Sequence, residues 1–456
     1  MKVIKRDGRV VEFNKDKIKN AVVRAYADVD GDLENSNAKS KASEIANYIS
    51  GLEKDLSVEE IQDIVENKLM NSNRKDVAKT YIIYRNNRTK IRENKTQLMK
   101  DVSEKLTAKN VQNQNANIDE KSFGGRIGEA SDAVLKKYAL DNCMSDMAKN
   151  NHLNNEIYIH DLNSYAVGMH NCLSVPFDKL LANGFNTRQT DVRPAQSVST
   201  AFQLVAVIFQ LQSLMQFGGV SATHLDWTMV PYVRKSFYKH FKNGLKYVEN
   251  YNKDFEPMDG YSIDNEGFKQ HKEAYKYALD MTEKEVYQAV EGMYHNLNTL
   301  QSRSGNQLPF TSVNYGTCTL PEGRMVTKAL LEVSINGIGK LHKTSIFPCG
   351  IFQCMKGVNR KPEDPNYDLF KLALRSTAQR LYPNYANVDW SGNYGYDRND
   401  PKTYFSTMGC RTANGWDING FGQLKDGRGN ICPVTIIMPT LAMGAKERIA
   451  DSLGVN

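Results

Sequence analysis

Cys410 is the residue whose surroundings most clearly suggest chemistry. It lies in the run T-M-G-C-R-T at positions 407–412, where a glycine precedes it and polar residues flank it. This context predicts a tight loop that presents a thiol. A lone cysteine is more often a small buried hydrophobic residue than a reactive group, and no histidine lies nearby to form a cysteine-hydrolase pair. The residues alone therefore leave Cys410 open between a reactive thiol and a core residue.

A second candidate site lies at the N-terminus, where cations surround a predicted helix start. Lys5 and Arg6 precede a turn, and Lys17 lies in the first turn of the next helix. A cation at a helix N-terminus opposes the helix dipole, whereas an anion bound at the same helix end is stabilised by it. The pattern is compatible with a polyphosphate site and also with three ordinary surface cations.

The elements around these cations predict a small domain. Residues 2–13 form two strand-like runs around Asp7-Gly8, which predicts a hairpin with a two-residue type I′ turn. Asn14 is a candidate cap for the following helix. The pair Ser57 and Glu60 predicts a capping box at the start of another helix. A third helix is predicted over 75–92.

The rest of the chain alternates predicted helices with short strands. Residues 94–121 are polar with little pattern, which predicts a linker or extended segment. Beyond it, helices are predicted near 197–217, 225–250 and 283–303, and strand-like segments at 157–159, 310–315 and 433–438. This alternation predicts an α/β domain. We therefore divide the chain into a small domain at 1–93, a linker at 94–121 and an α/β domain at 122–456.

The composition is that of an ordinary globular protein. The chain has 456 residues, of which 40% are hydrophobic and 24% are charged, and this length suggests two to four domains of about 150 residues. The net charge of +7 permits anionic ligands and does not call for a nucleic-acid partner. No segment approaches the roughly 20 apolar residues that span a bilayer, and no secretory signal is predicted. Seven scattered cysteines do not suggest a disulfide framework, so we expect a cytoplasmic protein without a membrane partner.

The N-terminal motif resembles a known allosteric module. The run V-I-K-R-D-G-R-V-V-E-F-N-K-D-K-I at positions 3–18 is similar to the opening of an ATP-cone domain, the activity sensor of ribonucleotide reductases. The resemblance covers roughly residues 1–93 and implies ATP and dATP as allosteric effectors. Val11 departs from the family, which has an acidic residue there that is associated with ribose contact. The resemblance places six residues at nucleotide-contacting positions: Val3, Lys5, Arg6, Asn14, Lys17 and Ile18.

The larger region resembles the anaerobic, class III ribonucleoside-triphosphate reductases, which are glycyl-radical enzymes. The motifs that carry this resemblance follow the order seen in the family, at positions 159–162, 170–173, 210–219, 302–310, 381–384 and 427–430. In that family a ten-stranded α/β barrel, built from two five-stranded halves, encloses a finger loop. The resemblance therefore implies an ATP cone followed by the first part of such a barrel, incomplete in this chain.

The resemblance also implies roles for individual residues in reducing ribonucleoside triphosphates to deoxyribonucleoside triphosphates for DNA synthesis. Cys410 matches the loop cysteine that becomes a thiyl radical and removes the 3′ hydrogen of the ribose. Cys172 matches the second active-site cysteine, which donates a hydrogen to C2′ as the hydroxyl leaves as water. His160, Asn171 and Ser312 are candidate substrate-binding residues, and His160 is equally compatible with a core histidine.

The reductant depends on Asn430 and Cys432. Asn430 resembles the asparagine of enzymes that use formate, which supplies two electrons and leaves as carbon dioxide. Cys432 would share a face with Asn430 if the segment were one extended strand. It could instead form a disulfide with Cys172, which would require a thioredoxin-type reductant. Formate is the favoured alternative. Cys349 and Cys354 lack the second pair of ligands that a structural zinc site needs, and we interpret them as core or surface cysteines.

Some parts of the family are not matched. The resemblance implies a second half-barrel, a four-cysteine zinc site and a C-terminal loop whose glycine stores the radical, and Gly454 lacks that context. We therefore expect this chain to be inactive alone, as a truncated gene, a partial record or one half of a split enzyme with a second polypeptide. A homodimer and a radical-SAM activase are implied as partners. The alternatives are a nucleotide-binding fragment without activity, and an ATP-cone transcriptional repressor, which is short and has a zinc ribbon before its cone.

Overall fold

The chain forms two compact units, Met1–Asp101 and Val102–Asn456. The computed structural model describes residues 1–6, 8–107, 122–168, 170–251, 258, 260–302, 306–409, 412–413 and 422–453. Of the helical residues 92–97, 105, 107 and 450–453, it describes the backbone alone. None of the helices in this described part is long and apolar enough to cross a membrane.

The first unit packs helices onto a small sheet with strand order β2-β1-β3. Strand β1 is antiparallel to β2 and parallel to β3. Its elements are β1 (Lys2–Ile4), β2 (Val10–Glu12), α1 (Lys15–Asp30), α2 (Ser36–Ser50), β3 (Leu56–Ser57), α3 (Val58–Met70) and α4 (Lys75–Thr107). Val22, Ile45, Ile49 and Val65 are almost fully buried at its centre. The predicted hairpin-plus-helix unit is confirmed.

The predicted helix caps are also confirmed. The side chain of Asn14 accepts a hydrogen bond from the Asp16 N–H at 2.8 Å. Ser57 Oγ accepts from the Glu60 N–H at 3.1 Å, and Glu60 Oε2 accepts from the Ser57 N–H at 2.7 Å, which completes the capping box. Such caps depend on residues within one turn of each other, so the local sequence determines them.

The hairpin turn differs from the prediction. The Gly8 N–H donates to the Lys5 carbonyl at 2.9 Å, and the Lys5 N–H donates to the Arg9 carbonyl at 2.8 Å. The loop therefore spans three residues, 6–8, rather than two. Gly8 adopts a φ of 81°, the left-handed conformation that a three-residue hairpin loop needs at its last position. Asp7 lies outside the described residues.

The end of α4 was also predicted wrongly. This helix continues to Thr107 instead of ending near Arg92, so the first part of the predicted 94–121 linker is helical. Residues 93–107 contain neither glycine nor proline, the two residue types that most strongly interrupt a helix. Residues 108–121 lie outside the described part of the chain.

The second unit is organised around a six-stranded sheet with the order β11-β10-β9-β8-β5-β14. The first five strands in this order are parallel, and the edge strand β14 is antiparallel to β5. The strands are β5 (Cys172–Ser174), β8 (Val220–Ala222), β9 (Thr311–Tyr315), β10 (Cys349–Cys354), β11 (Asn384–Asn387) and β14 (Gly429–Asn430). The predicted α/β fold is confirmed.

The second unit also contains helices and three small, two-stranded antiparallel sheets. The paired short strands are β4 (Ile157–Ile159) with β15 (Val434–Ile436), β6 (Phe185–Asn186) with β7 (Asp191–Val192), and β12 (Thr407–Met408) with β13 (Thr412–Ala413). Short 3₁₀ helices occur at Ser391–Asn393 and Pro401–Thr403. The α-helices are α5 (Phe123–Asn142), α6 (Asp146–Leu153), α7 (Leu162–Tyr165), α8 (Phe177–Asn183), α9 (Val198–Ser213), α10 (Leu225–Thr228), α11 (Val230–Tyr247), α12 (Glu266–Lys269), α13 (Lys272–Thr299), α14 (Pro321–Asn336), α15 (Tyr367–Arg380) and α16 (Met438–Leu453).

The two faces of the main sheet differ in chemistry. Val220, Val313 and Phe352 lie on one face and pack into the hydrophobic core with α9, α13 and α14. Side chains alternate between faces along a strand, and the pairing of Ser174 with Ser221 and of Ser221 with Ser312 places these serines together on the other face. That polar face carries Cys172, Ser174, Ser221, Ser312, Asn314 and Gln353. Buried polar groups on one side of a sheet indicate a functional interior.

Candidate active site

Cys172 lies on the polar face, next to the edge strand of the main sheet. It is the first residue of β5 and is 9% exposed. Its thiol donates to Asn171 Oδ1 at 2.9 Å, and its sulfur accepts from the Gly219 N–H at 3.2 Å. The thiol is thus held by defined partners on both sides, which is the arrangement a directed hydrogen transfer needs.

Asn430 is fixed next to Cys172 although the two residues are far apart in sequence. Asn430 Oδ1 accepts from the Cys172 N–H at 2.7 Å. The Asn171 N–H donates to the Asn430 carbonyl at 2.8 Å. The structure therefore brings together three predicted site residues, Cys172, Asn171 and Asn430, through the antiparallel contact of β14 with β5.

Gly409, which precedes Cys410 in the sequence, lies close to Cys172. A Cβ built on Gly409 would lie 3.4 Å from Cys172 Sγ, and one built on Gly219 would lie 2.9 Å from Gly409 Cα. These close contacts, with a φ of 60° at Gly409, explain why both positions are glycine. Cys410 itself lies outside the described residues.

His160 and Asp161 are neighbours in the I-H-D-L motif, but their side chains have different hydrogen-bond partners. His160 Nε2 is 2.7 Å from Thr435 Oγ1, and the backbone N–H of His160 donates to the Pro433 carbonyl at 3.1 Å. These bonds join β4 to β15. Asp161, in contrast, accepts from Asn171 Nδ2 at 2.7 Å through its Oδ2. Asp161 therefore orients Asn171, and sequence reasoning missed it although it lies within the quoted motif.

Ser312 is fully buried on β9, on the same face as Cys172. Among the described residues its hydroxyl has no hydrogen-bond partner. Most buried polar side-chain atoms in proteins do have a partner. An unpaired buried hydroxyl on a polar face is compatible with the predicted role in binding substrate.

Lys425 and Arg428 add positive charge behind β5. Lys425 is 1% exposed, and its Nζ donates to Gln423 Oε1 at 2.9 Å. Burial, and then the charge of Arg428, lower the pKa of Lys425 to about 8. The ammonium form is still the major form at neutral pH, so this region carries two cations and suits anionic ligands.

Ser174 forms hydrogen bonds with the segment that leads to Asn430. Its Oγ donates to the Lys425 carbonyl at 2.6 Å and accepts from the Arg428 N–H at 3.1 Å. We expect Ser174→Ala to remove both of these hydrogen bonds and to lower the free energy of unfolding by about 1–3 kcal/mol. Chemical denaturation of the chain measures this. Ser406→Ala is the matched control, because Ser406 is equally buried and has no side-chain partner among the described residues. Equal effects of the two variants would contradict the assigned role of Ser174.

Cys432 does not lie on a strand with Asn430. Strand β14 ends at Asn430 and β15 begins at Val434, so the predicted shared strand face is wrong. Cys432 packs against Ile159 and Leu162, and its thiol is free. Burial, assisted by the charge of Asp161, raises the pKa of Cys432, which reduces its thiolate fraction.

The described residues offer no metal site. No group of three or more His, Cys, Asp or Glu side chains in this part of the chain is arranged to hold a metal ion. Cys349 is buried in the core and Cys354 is half-buried, as predicted. The described residues therefore do not fit the zinc site that the family resemblance implies.

The predicted nucleotide site in the first unit is partly at the surface. Val3 and Ile18 are buried in the hydrophobic core of that unit. Asn14 and Lys17 are exposed, and Lys5 is half-buried. The four polar members are thus the ones whose side chains are available to a phosphate.

Arg6 is held by acidic and amide groups of α3. It forms an ion pair with Glu59 and donates to Gln62 Oε1 at 3.0 Å. Arg85 shares Glu59 at 3.3 Å and also pairs with Asp63 at 2.6 Å. A phosphate that binds Arg6 must therefore compete with Glu59.

Comparisons with known proteins show which family the chain belongs to. The sequence model of the anaerobic ribonucleoside-triphosphate reductases matches residues 114–453, and that of the ATP cone domain matches residues 1–90. The chain belongs to the anaerobic ribonucleoside-triphosphate reductase family. This family membership confirms the resemblance seen in the motifs.

Curated members of the anaerobic reductase family align along nearly the whole chain. The anaerobic ribonucleoside-triphosphate reductase of Haemophilus influenzae is 32% identical over 98% of this chain, and that of Escherichia coli is 31% identical over 97%. The chain spans 59% of the length of each of these relatives. Among solved structures, the anaerobic ribonucleotide reductase of Thermotoga maritima with dATP in the specificity site matches with a TM-score of 0.46 and 14% identity, over 77% of this chain and 57% of that one.

Proposed function

We propose that this chain provides the N-terminal catalytic portion of an anaerobic enzyme that reduces ribonucleoside triphosphates to deoxyribonucleoside triphosphates by thiyl-radical chemistry. The observation that carries the proposal is the convergence of Cys172, Asn430 and Gly409 on one polar sheet face. A thiol, a carboxamide and the backbone next to a second cysteine meet there, although they come from three distant parts of the sequence.

The proposed reaction assigns one step to each thiol. Cys410 is the thiyl radical that takes the 3′ hydrogen of the ribose. Cys172 then donates a hydrogen to C2′ while the 2′-hydroxyl leaves as water. A glycyl radical and a radical-SAM activase, implied by family resemblance, would supply the initial radical. Asn171, which is hydrogen-bonded to both the Cys172 thiol and Asp161, orients the donor, and Ser312 and His160 are the remaining candidate substrate contacts.

The proposed reductant is formate. Asn430 uses its Oδ1 to bind the Cys172 backbone, which leaves its amide nitrogen as a donor for a carboxylate such as formate. Oxidation of formate to carbon dioxide supplies the two electrons that balance loss of the hydroxyl as water. The alternative, a disulfide of Cys172 with Cys432, is less favoured because burial raises the pKa of Cys432. Product that forms only with formate, with one carbon dioxide released per deoxyribonucleotide, would support the proposal; turnover with a dithiol alone would not.

The N-terminal unit is proposed to bind ATP and dATP as allosteric effectors through Lys5, Arg6, Asn14 and Lys17. We expect Arg6→Gln in the full chain to weaken ATP binding about tenfold or more, because a charge-assisted hydrogen bond to phosphate is lost. Arg85→Gln is the control, since Arg85 shares Glu59 but is not one of the predicted contacts. Isothermal titration would measure both affinities. Equal ATP affinity of wild type and Arg6→Gln would refute the role of Arg6.

A second candidate function is a nucleotide-binding fragment that has no reductase activity alone. The observation behind it is that the chain spans 59% of its curated relatives. The intact mass of the native polypeptide, isolated anaerobically with its co-purifying proteins, separates the cases. A mass well above 51.5 kDa supports a longer reductase, and a second bound polypeptide supports a split enzyme. A homodimer and an activase complex are proposed partners, and the same preparation would reveal them.

A further inference from the structure

We propose that Asn314 and Gln353 are positioning residues whose side-chain amides hold the segment leading to Cys410. The inference rests on the proposed function, because it assumes that Cys410 is the reacting thiol. The two residues lie on neighbouring strands, β9 and β10, on the polar face of the main sheet. Both are completely buried, and the reaction steps proposed above use neither.

Asn314 binds the backbone of Thr407 at two points. Its Oδ1 accepts from the Thr407 N–H at 3.1 Å, and its Nδ2 donates to the Thr407 carbonyl at 3.1 Å. A neighbouring β-strand would supply the same pair of bonds to this residue. Only a carboxamide offers a donor and an acceptor in this arrangement, so Asp or Leu at position 314 could not reproduce it.

Two further side chains anchor the same segment. Ser221 Oγ on β8 donates to the Thr407 carbonyl at 2.8 Å. Gln353 Nε2 donates to the Phe405 carbonyl at 2.9 Å. Three adjacent strands therefore each contribute one polar side chain to residues 405–407, which we call the loop stem.

The orientation of Asn314 is itself fixed. Besides Thr407, its Nδ2 lies 2.9 Å from the Ala222 carbonyl and 3.2 Å from Ser221 Oγ. The amide is therefore held in place by β8, independently of the loop stem. A group whose own supports are rigid can set the position of what it binds.

The loop stem limits the position of Gly409, the residue that precedes Cys410 in the sequence. Gly409 follows Thr407 by two residues and contacts the surroundings of Cys172, with a built Cβ 3.4 Å from Cys172 Sγ. Two residues span at most about 7 Å, so fixing Thr407 limits the reach of the next residues. A misplacement of about 1 Å at a reacting group lowers rates about 100-fold.

The test compares Asn314→Ala with a matched buried asparagine. Asn366 is also completely buried, and its Nδ2 binds the Gly316 and Cys318 carbonyls instead of the loop stem. Hydrogen exchange of the peptide covering 404–409 is measured on the unactivated protein. We expect exchange of this peptide in Asn314→Ala to be faster than in wild type by about tenfold or more. We expect exchange in Asn366→Ala to match wild type, even if the two variants lose the same amount of thermal stability.

A second measurement addresses function in the native, activated protein. We expect Asn314→Ala to lower kcat about 100-fold while KM changes little, because substrate binding does not need the loop stem. If Asn314→Ala does not fold, Gln353→Met removes a single donor at nearly constant size and is expected to accelerate exchange of the same peptide. Unchanged exchange in the folded variants would overturn the inference. Exchange requires no turnover, so an inactive wild-type protein would contradict the proposed function and leave this test intact.

Discussion

Cys410→Ser is expected to abolish deoxyribonucleotide formation by the native, activated protein. The O–H bond of serine is much stronger than an S–H bond, so a serine cannot exchange a hydrogen atom with the ribose C–H bond. We expect a loss of at least about 10⁴-fold, equivalent to more than about 5 kcal/mol of barrier. Anaerobic turnover of a ribonucleoside triphosphate, followed by chromatography of the deoxyribonucleotide product, measures it.

The control for Cys410→Ser is Cys143→Ser, because Cys143 is an exposed thiol with no assigned role. It tests whether removal of any thiol from the protein affects activation. We expect Cys143→Ser to retain wild-type activity. Retention of a tenth or more of wild-type activity by Cys410→Ser would exclude Cys410 as the radical carrier.

Cys172→Ser is expected to stop the reaction at the next step, with a loss of at least about 10³-fold in product formation. A serine hydroxyl can replace the thiol as a hydrogen-bond donor to Asn171 Oδ1 and as an acceptor from the Gly219 N–H. The fold should therefore be preserved while the hydrogen donor to C2′ is lost. Product yield per activated enzyme measures the effect, and thermal unfolding verifies that the fold is intact.

Cys349→Ser is the matched control for Cys172→Ser. Cys349 is also a buried thiol on the main sheet, and it pairs in register with Ser312. Its sulfur is 3.5 Å from Tyr382 Oη, and it belongs to the hydrophobic core. We expect Cys349→Ser to keep most of the activity. Equal losses in the two variants would mean that Cys172 acts only through packing.

The local features of this protein could be predicted from sequence because their causes are local. The cap at Asn14 and the box of Ser57 with Glu60 involve residues within one helical turn. The errors concern segments whose composition fits two structures. The polar residues at the end of α4 suit a helix or a linker, and the sequence Asp7-Gly8 suits both two- and three-residue hairpin loops. The strand at Ile157–Ile159 was placed correctly because turn residues bound it.

The candidate site was only partly accessible to sequence reasoning. Cys172 and Asn430 were selected by motif, but their contact depends on strands that are 258 positions apart. Asn314 and Gln353 were missed, because single polar residues in apolar strands carry no local signal of what they bind. The alternation in T-S-V-N-Y at 311–315 was the available clue, since two polar residues of a buried strand share a face.

The isotope content of the product tests the central claim most directly. The native, activated protein would be supplied with an unlabelled ribonucleoside triphosphate and formate in D₂O, where a thiol hydrogen exchanges with solvent. The proposed chemistry predicts a deoxyribonucleotide that carries one deuterium at C2′, delivered from Cys172, and no product from Cys410→Ser. Product without deuterium at C2′, or labelled product from Cys410→Ser, would contradict it.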